Sequence, residues 1–201
     1  MKETFALLSA LVVLLSYPVY GWRIYRREIE TNIASWSMFV LISVTFLLTY
    51  SASGAEENLI VTYGPVLGTT CILLVSLFRT KNLSLTKTDW VCVGITISSL
   101  VAWYFTKESK ELAQYALYLA LLADGVAIIP TIVFLRKNPK KDRPLMWMIF
   151  SFGYFLAIFS IKDHTFANYS LPVFMVVLPA FVWWPLLKYR IANKIPLKRW
   201  I

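Results

Sequence analysis

Asp124 lies in the middle of a long apolar run, LALLADGVAIIP, where an ionisable side chain is least expected. An aspartate at the centre of a membrane helix costs roughly 2.5–3.5 kcal/mol on insertion scales, and such residues usually serve a function. No lysine or arginine offers it an obvious partner. A carboxyl group buried without a countercharge favours its protonated form, so Asp124 could carry a proton or hydrogen-bond a polar solute. The alternative is a structural carboxylic acid bonded to a neighbouring Ser, Thr or Tyr. Tyr63, Thr69 and Thr70 are the polar groups offered by the third apolar run, although threonines there also serve helix packing. Trp183 and Trp184 could stack on a sugar or an aromatic solute, or simply pack against helices or lipid. His164 beside Asp163 changes charge near neutrality, and otherwise is a solvated loop residue. Pro18, Pro65, Pro130 and Pro179 interrupt backbone hydrogen bonding. They are candidate hinges, or static kinks of the kind membrane helices tolerate.

Several chemistries are not encoded. Cys71 and Cys92 sit in apolar runs with no CxxC or Cys/His cluster, so neither a disulfide framework nor a metal site is indicated. There is no GxSxG, HExxH or aspartate pair to suggest an intramembrane enzyme. Leu171–Leu187 holds no lysine for a retinal Schiff base. No cofactor is implied.

The elements that must position Asp124 follow from hydropathy. The 201 residues are 58% hydrophobic and 15% charged, with mean hydropathy +0.63, whereas a soluble domain has roughly 25% charged residues. The excess comes in blocks of the length that spans a bilayer, about 17–25 residues: Phe5–Ile24, Ile33–Tyr50, Leu59–Phe78, Trp90–Phe105, Leu112–Leu135, Leu145–Ile161 and Leu171–Tyr189. The fourth is the shortest. Backbone groups must pair internally in hydrocarbon, so these blocks are helices, and no alternating segments suggest a barrel. The first block resembles a signal peptide in having Lys2 ahead of an apolar core. It runs on through Trp22 and Ile24, past the usual h-region of about 7–15 residues, and is expected to be a retained helix. The fold class is an all-α membrane protein of seven transmembrane helices in a single integral membrane domain, residues 1–201.

Charge supplies the orientation. The loops after helices one, three and five and the C-terminal tail hold 16 of the 20 lysines and arginines, including Arg23, Arg26, Arg27, Arg79, Lys81 and the cluster Arg136–Arg143. The opposite side carries Lys2, Lys107, Lys110 and Lys162 with the acids Glu3, Glu56, Glu57, Glu108, Glu111 and Asp163. Basic short loops stay in the cytoplasm, so the N-terminus is expected outside and the C-terminus inside. The net charge of +9 is therefore a topology signal that also suits anionic lipid headgroups. The loops are too short to build a nucleic-acid surface. Trp22, Trp36, Trp90, Trp103, Trp147 and Trp200 fall near helix ends, as interfacial belts do.

A shift of 111 or 112 residues brings Pro18 onto Pro130, Trp36 onto Trp147, Phe39 onto Phe150 and Arg79 onto Arg190. The same shift lays helices one to three (5–79) on five to seven (112–190), with helix four (90–105) left as a linker. Asp124 falls on Val12, so the halves differ at that depth. The odd linker makes both triplets run the same way across the membrane, as in a parallel 3+1+3 repeat. With this layout, and with Pro18 before the basic Arg23–Arg27 loop and Pro130 before Arg136–Arg143, the chain resembles the PQ-loop and SWEET superfamily. It lacks the Pro-Gln pairs, having Pro18-Val19 and Pro130-Thr131.

The resemblance implies a transporter that alternates access to a small solute bound between two three-helix bundles, with membrane lipids and a homo-oligomer as compatible partners. The expected setting is a bacterial inner (plasma) membrane. Nicotinamide riboside transporters have a related seven-helix layout. A receptor on the same scaffold, as in KDEL receptors, is the alternative, but it would need cationic groups facing an outer cavity. The topology has a direct test: single cysteines placed at Glu57 and Lys140 should label from opposite sides of the membrane. Labelling from the same side would refute the seven-helix count.

Overall fold

The computed structural model describes residues 1–29, 31–54, 59–79, 85–197 and 200. The sequence assignments at Glu56, Glu57, Lys81, Lys198 and Arg199 lie outside them. Among the described residues the secondary structure is helical, in seven α-helices: α1 (Lys2–Tyr25), α2 (Ile33–Ala52), α3 (Leu59–Arg79), α4 (Lys87–Thr106), α5 (Lys110–Lys137), α6 (Pro144–Ile158) and α7 (Phe166–Ala192). All but α6 are long and apolar enough to cross a membrane, the mark of an integral membrane protein. The shortest helix is α6, with 15 residues, and not α4, which has 20. At about 1.5 Å per residue, α6 spans about 22 Å of a hydrocarbon core about 30 Å thick. It stops before its apolar run does, because the amides of Phe159 and Ser160 turn back to the carbonyls of Leu156 and Ala157 in a tight last turn.

Helix ends are tied by local chemistry. Asn32 caps α2 through Ala34, and Thr86 with Asp89 forms a reciprocal capping box on α4. α1 and α7 both end in a left-handed residue, Arg27 (φ 59) and Lys194 (φ 51). In each case the next amide, of Glu28 or Ile195, returns to the carbonyl of Arg23 or Arg190, the Schellman pattern. The first of these turns folds Glu28 back beside Arg23. Tryptophan–cation pairs one helical turn apart, Trp22/Arg26, Trp103/Lys107 and Trp184/Lys188, sit near helix ends, where an interface would lie.

In the bundle, α1 packs on α3 and α6, α3 on α2, α7 on α5 and α6, and α2 on α5. α4 packs on α5 and α2. The α4–α5 contact uses small residues: Ala113, Ala116, Ala120 and Ala123 of α5 are fully buried. Ser99 and Cys92 of α4 donate to the carbonyls of Ala116 and Ala123, at 2.7 and 3.4 Å.

The closest approach is at α1. Val13 and Tyr17 sit against Gly64 and Gly68, a GxxxG pair on α3, and Val13 also meets Gly153 of α6. A β-carbon on Gly153 would lie 2.9 Å from the Val13 amide nitrogen, and one on Gly68 would fall inside the Tyr17 ring. Such small-residue seams replace the hydrophobic effect as the means of holding helices together in lipid. Gly68→Ala should therefore cost about 1–3 kcal/mol by overpacking, read as a lower unfolding temperature in detergent. Gly94→Ala, where an added methyl meets nothing within 4 Å, should leave it unchanged or slightly raised.

Candidate functional site

The α-helical period turns one face of each of six helices toward a central cavity of about 80 Å³. Trp36, Phe39, Ser43 and Phe46 of α2 line it at three- and four-residue spacing. Facing them are Tyr17 of α1, Pro65 and Thr69 of α3, Asp124 and Ile128 of α5, Trp147 and Phe150 of α6, and Met175 and Pro179 of α7. None of the lining comes from α4. Asp124 is 8% exposed, and among the described residues its carboxyl group has no hydrogen-bond or ion-pair partner. Its nearest ionisable neighbours are the phenols of Tyr17 and Tyr154 and the thiol of Cys92. Of the three hydroxyls in the cavity wall, that of Tyr17 has no hydrogen bond among the described residues, and the other two are engaged. Thr69 donates to the Pro65 carbonyl at 2.7 Å, Ser43 to that of Val40 at 2.9 Å, and the two oxygens are 3.1 Å apart.

A second, larger space of about 310 Å³ opens between the start of α2 and the end of α5, lined by Thr31, Asn32, Pro130, Thr131, Lys141 and Asp142 among others. Trp36, Phe39 and Trp147 belong to both linings. They form the aromatic partition between this vestibule and the cavity that holds Asp124. The tryptophans, 7% and 8% exposed, both pack against Tyr20, Trp36 tilted at 5.5 Å and Trp147 edge-on at 6.5 Å between centroids.

Asp142 pins this partition from the α5–α6 loop. Its carboxylate accepts from Trp147 Nε1 at 3.1 Å, from the Arg143 amide at 2.6 Å and from the Tyr20 hydroxyl at 3.5 Å. Arg190 of α7, also buried, donates to the carbonyls of Pro139 and Asp142 at 3.2 and 2.5 Å, fixing the loop itself. Burial pushes the Asp142 carboxyl up to about 6, against the pull of the Arg143 and Trp147 donors, the Arg190 charge and the Tyr20 hydroxyl. Nearby, Glu28 bridges Arg23 and Arg143, the latter at 3.0 Å. The hydrogen bond from Arg23 and the surrounding guanidinium charge hold the Glu28 carboxyl below its ordinary value.

Toward the other end of the bundle Tyr50 and Tyr154 are fully buried. The Tyr50 hydroxyl donates to the Asn168 carbonyl at 3.3 Å, the carbonyl that Pro172 leaves without its helical donor. Lys2 reaches the Ile161 carbonyl at 2.9 Å, tying the start of α1 to the end of α6.

Of the residues singled out in the sequence, Asp124, Thr69, Pro65 and Pro179 meet at the cavity. Pro130 lines the vestibule, while Pro18 faces outward into an apolar groove between α1 and α3. Tyr63 is corrected: it is 48% exposed and outside the cavity. The inward face of α3 runs Val61, Pro65, Thr69, Ile72, and at 100° per residue Tyr63 falls on the opposite side. Thr70 bonds back to Val66 and is also absent from the lining. Trp184 faces outward and Trp183 donates to Ser151 at 3.3 Å, so neither lines the cavity. His164 pairs with the Tyr169 hydroxyl at 2.7 Å on the surface. Trp36 and Trp147 are not belt residues. Their recurrence 111 positions apart was the available signal for a shared place in the interior. Asp142, the one acid of KNPKKDRP, was hidden inside a cluster that reads as topology.

No known family, curated protein or solved structure matches the chain.

The Asp142 carboxyl has a thermodynamic consequence. Its folded value lies above the ordinary 3.8, so the folded state holds this proton more tightly than the unfolded chain. The associated stability is fully present below about pH 4 and is lost as the pH rises through about 6. For a shift of this size the loss is on the order of 2–3 kcal/mol. Thermal unfolding in detergent should show the decline in the native protein and not in Asp142→Asn.

Proposed function

We propose that this protein transports a small polar solute by alternating access between two three-helix bundles, α1–α3 and α5–α7, with α4 as the linker and Asp124 linking transport to protons. The observation that carries the reading is the unpartnered Asp124 carboxyl on the wall of a cavity lined by both triplets. An acid kept there without a partner is costly in a membrane, and a solute or proton that visits the site accounts for it.

The helix contacts support the 3+1+3 arrangement. Exchanging α1 with α5, α2 with α6 and α3 with α7 turns α1–α3 into α5–α7, α2–α3 into α6–α7, and α1–α6 into α5–α2. All of these pairs pack, and only the α4 contacts lack a counterpart. A parallel repeat about an axis along the membrane normal has this pattern. The sequence-matched pairs Trp36/Trp147 and Phe39/Phe150 line one cavity, as partners across such an axis would. Both ends of the cavity are tied across the two triplets, by Glu28–Arg143 and Tyr20–Asp142 at one end and by Tyr50–Asn168 and Lys2–Ile161 at the other. In alternating access one set opens while the other holds. With the N-terminus outside, the vestibule faces the cytoplasm of a bacterial inner membrane. No catalytic constellation accompanies the site, so we read the protein as a carrier and not an enzyme. A peptide receptor is disfavoured because no lysine, arginine or histidine lines the central cavity.

The test is flux into proteoliposomes of the full chain over sugars, amino acids, amines and vitamins, with and without a pH gradient. At least one solute should move faster than in protein-free vesicles, and Asp124→Asn should abolish the gradient-driven component. Wild-type behaviour of Asp124→Asn in every active flux would remove the proton link. The absence of any flux would remove the transport reading.

A further inference from the structure

Building on that transport reading, we infer that the central cavity is a binding site for a small organic monocation, with Asp124 as its counter-ion and the surrounding rings as its cage.

Three observations lead there. First, Asp124 is more than nine-tenths buried and unpartnered, and it belongs to the cavity lining. No lysine, arginine or histidine joins it there, and Tyr17, Tyr154 and Cys92 are the titratable groups around it. A buried negative charge is stabilised by a positive one, and here the protein supplies none.

Second, six of the sixteen lining residues are aromatic, Tyr17, Trp36, Phe39, Phe46, Trp147 and Phe150, and most of the others are aliphatic, proline or methionine. The rings pack edge to face, Tyr17 on Phe150 at 6.0 Å and Trp36 on Phe39 at 5.5 Å between centroids, and so are held in place before a ligand arrives. Ring faces attract ammonium and quaternary ammonium groups, most strongly where water is excluded.

Third, the polar inventory excludes other solutes. Ser43 and Thr69 donate their protons to the backbone carbonyls of Val40 and Pro65, which leaves the Tyr17 phenol and the Trp36 indole as the lining donors without a partner among the described residues. With so few free donors, a sugar would leave most of its hydroxyls unpaired, which is expensive where they are buried. An anion or an amino-acid carboxylate would meet Asp124 with no cation to offset the repulsion. The cavity volume of about 80 Å³, at about 10–15 Å³ for each water-sized site, holds on the order of half a dozen non-hydrogen atoms. That is the scale of a short amine or a choline-like headgroup. One carboxylate cannot hold a proton and a cation together, so the two compete for Asp124.

The purified full chain would be titrated with tetramethylammonium, choline, betaine and 3,3-dimethylbutan-1-ol, the uncharged carbon analogue of choline, following tryptophan fluorescence. Choline should bind about tenfold or more tightly than its neutral analogue, with betaine weak because of its carboxylate. Apparent choline affinity should weaken as the pH is lowered. Asp124→Asn should erase the preference for charge, and Phe39→Leu should weaken choline more than the neutral analogue. Equal affinities for the charged and neutral compounds in the unaltered protein would overturn the inference, whatever the variants do. Choline binding to a chain that moves no solute in proteoliposomes would support the site and overturn the transport reading. Flux of a neutral solute that choline does not inhibit would leave transport standing and overturn the cation site.

Discussion

The contact between Tyr17 and Gly68 holds α1 against α3, and much of the interior depends on that approach. In lipid, apolar side chains gain nothing by leaving the solvent, so helices associate where their surfaces fit closely. Gly64 and Gly68 on one side and Gly153 on the other let Val13 and Tyr17 reach positions that side chains would otherwise fill. Tyr17 is thereby set in the cavity wall, and Ser9, one turn before Val13, reaches the Gly153 carbonyl at 2.7 Å. The same helix carries Tyr20 under both tryptophans of the partition. A change in the glycine seam is therefore felt in the site and in its entrance.

Two buried aspartates in this protein differ by what surrounds them. Asp142 sits among donors from a backbone amide, an indole and a phenol, with Arg190 close by. Its carboxylate is structural: it fixes the orientation of Trp147 and the path of the α5–α6 loop. Asp124 is as buried but has no donor among the described residues. Identical chemistry is spent on architecture in one place and left unspent in the other, and the unspent carboxyl is the one a ligand or proton can use.

The layout also separates gates from site. Glu28–Arg143 and Tyr20–Asp142 lie at one end and Tyr50–Asn168 and Lys2–Ile161 at the other, while the cavity offers rings, one carboxyl and the hydroxyls of Tyr17, Ser43 and Thr69. Polar ties at the ends exchange with water and headgroups at modest cost, whereas such ties at the centre would be expensive to break. In the proposed carrier cycle, that distribution lets either end release without dismantling the cavity. In the proposed repeat Asp124 aligns with Val12, so one triplet alone would supply the carboxyl.

The sequence by itself determined the helical, membrane-spanning character and the approximate helix positions, because apolar run length and backbone pairing in hydrocarbon leave few alternatives. It also marked Asp124, since a carboxylate in an apolar run is conspicuous without any structure. The end of α6 at Ile158 was not legible, as local turn bonding overrode an apolar run reaching Ile161. Nor was the difference between Thr69 and Tyr63, which lie on one helix within two turns. Which of them faces the cavity depends on how α3 is rotated against α1 and α2, and several helices set that jointly. Trp36, Trp147 and Asp142 read as belt and loop residues because their roles rest on a neighbouring helix through Tyr20, which lies more than a hundred positions from Trp147 and Asp142, and on a loop held by α7. Composition fixes which solvent the helices prefer. Only tertiary packing fixes which faces turn inward, and so which side chains share a cavity with Asp124.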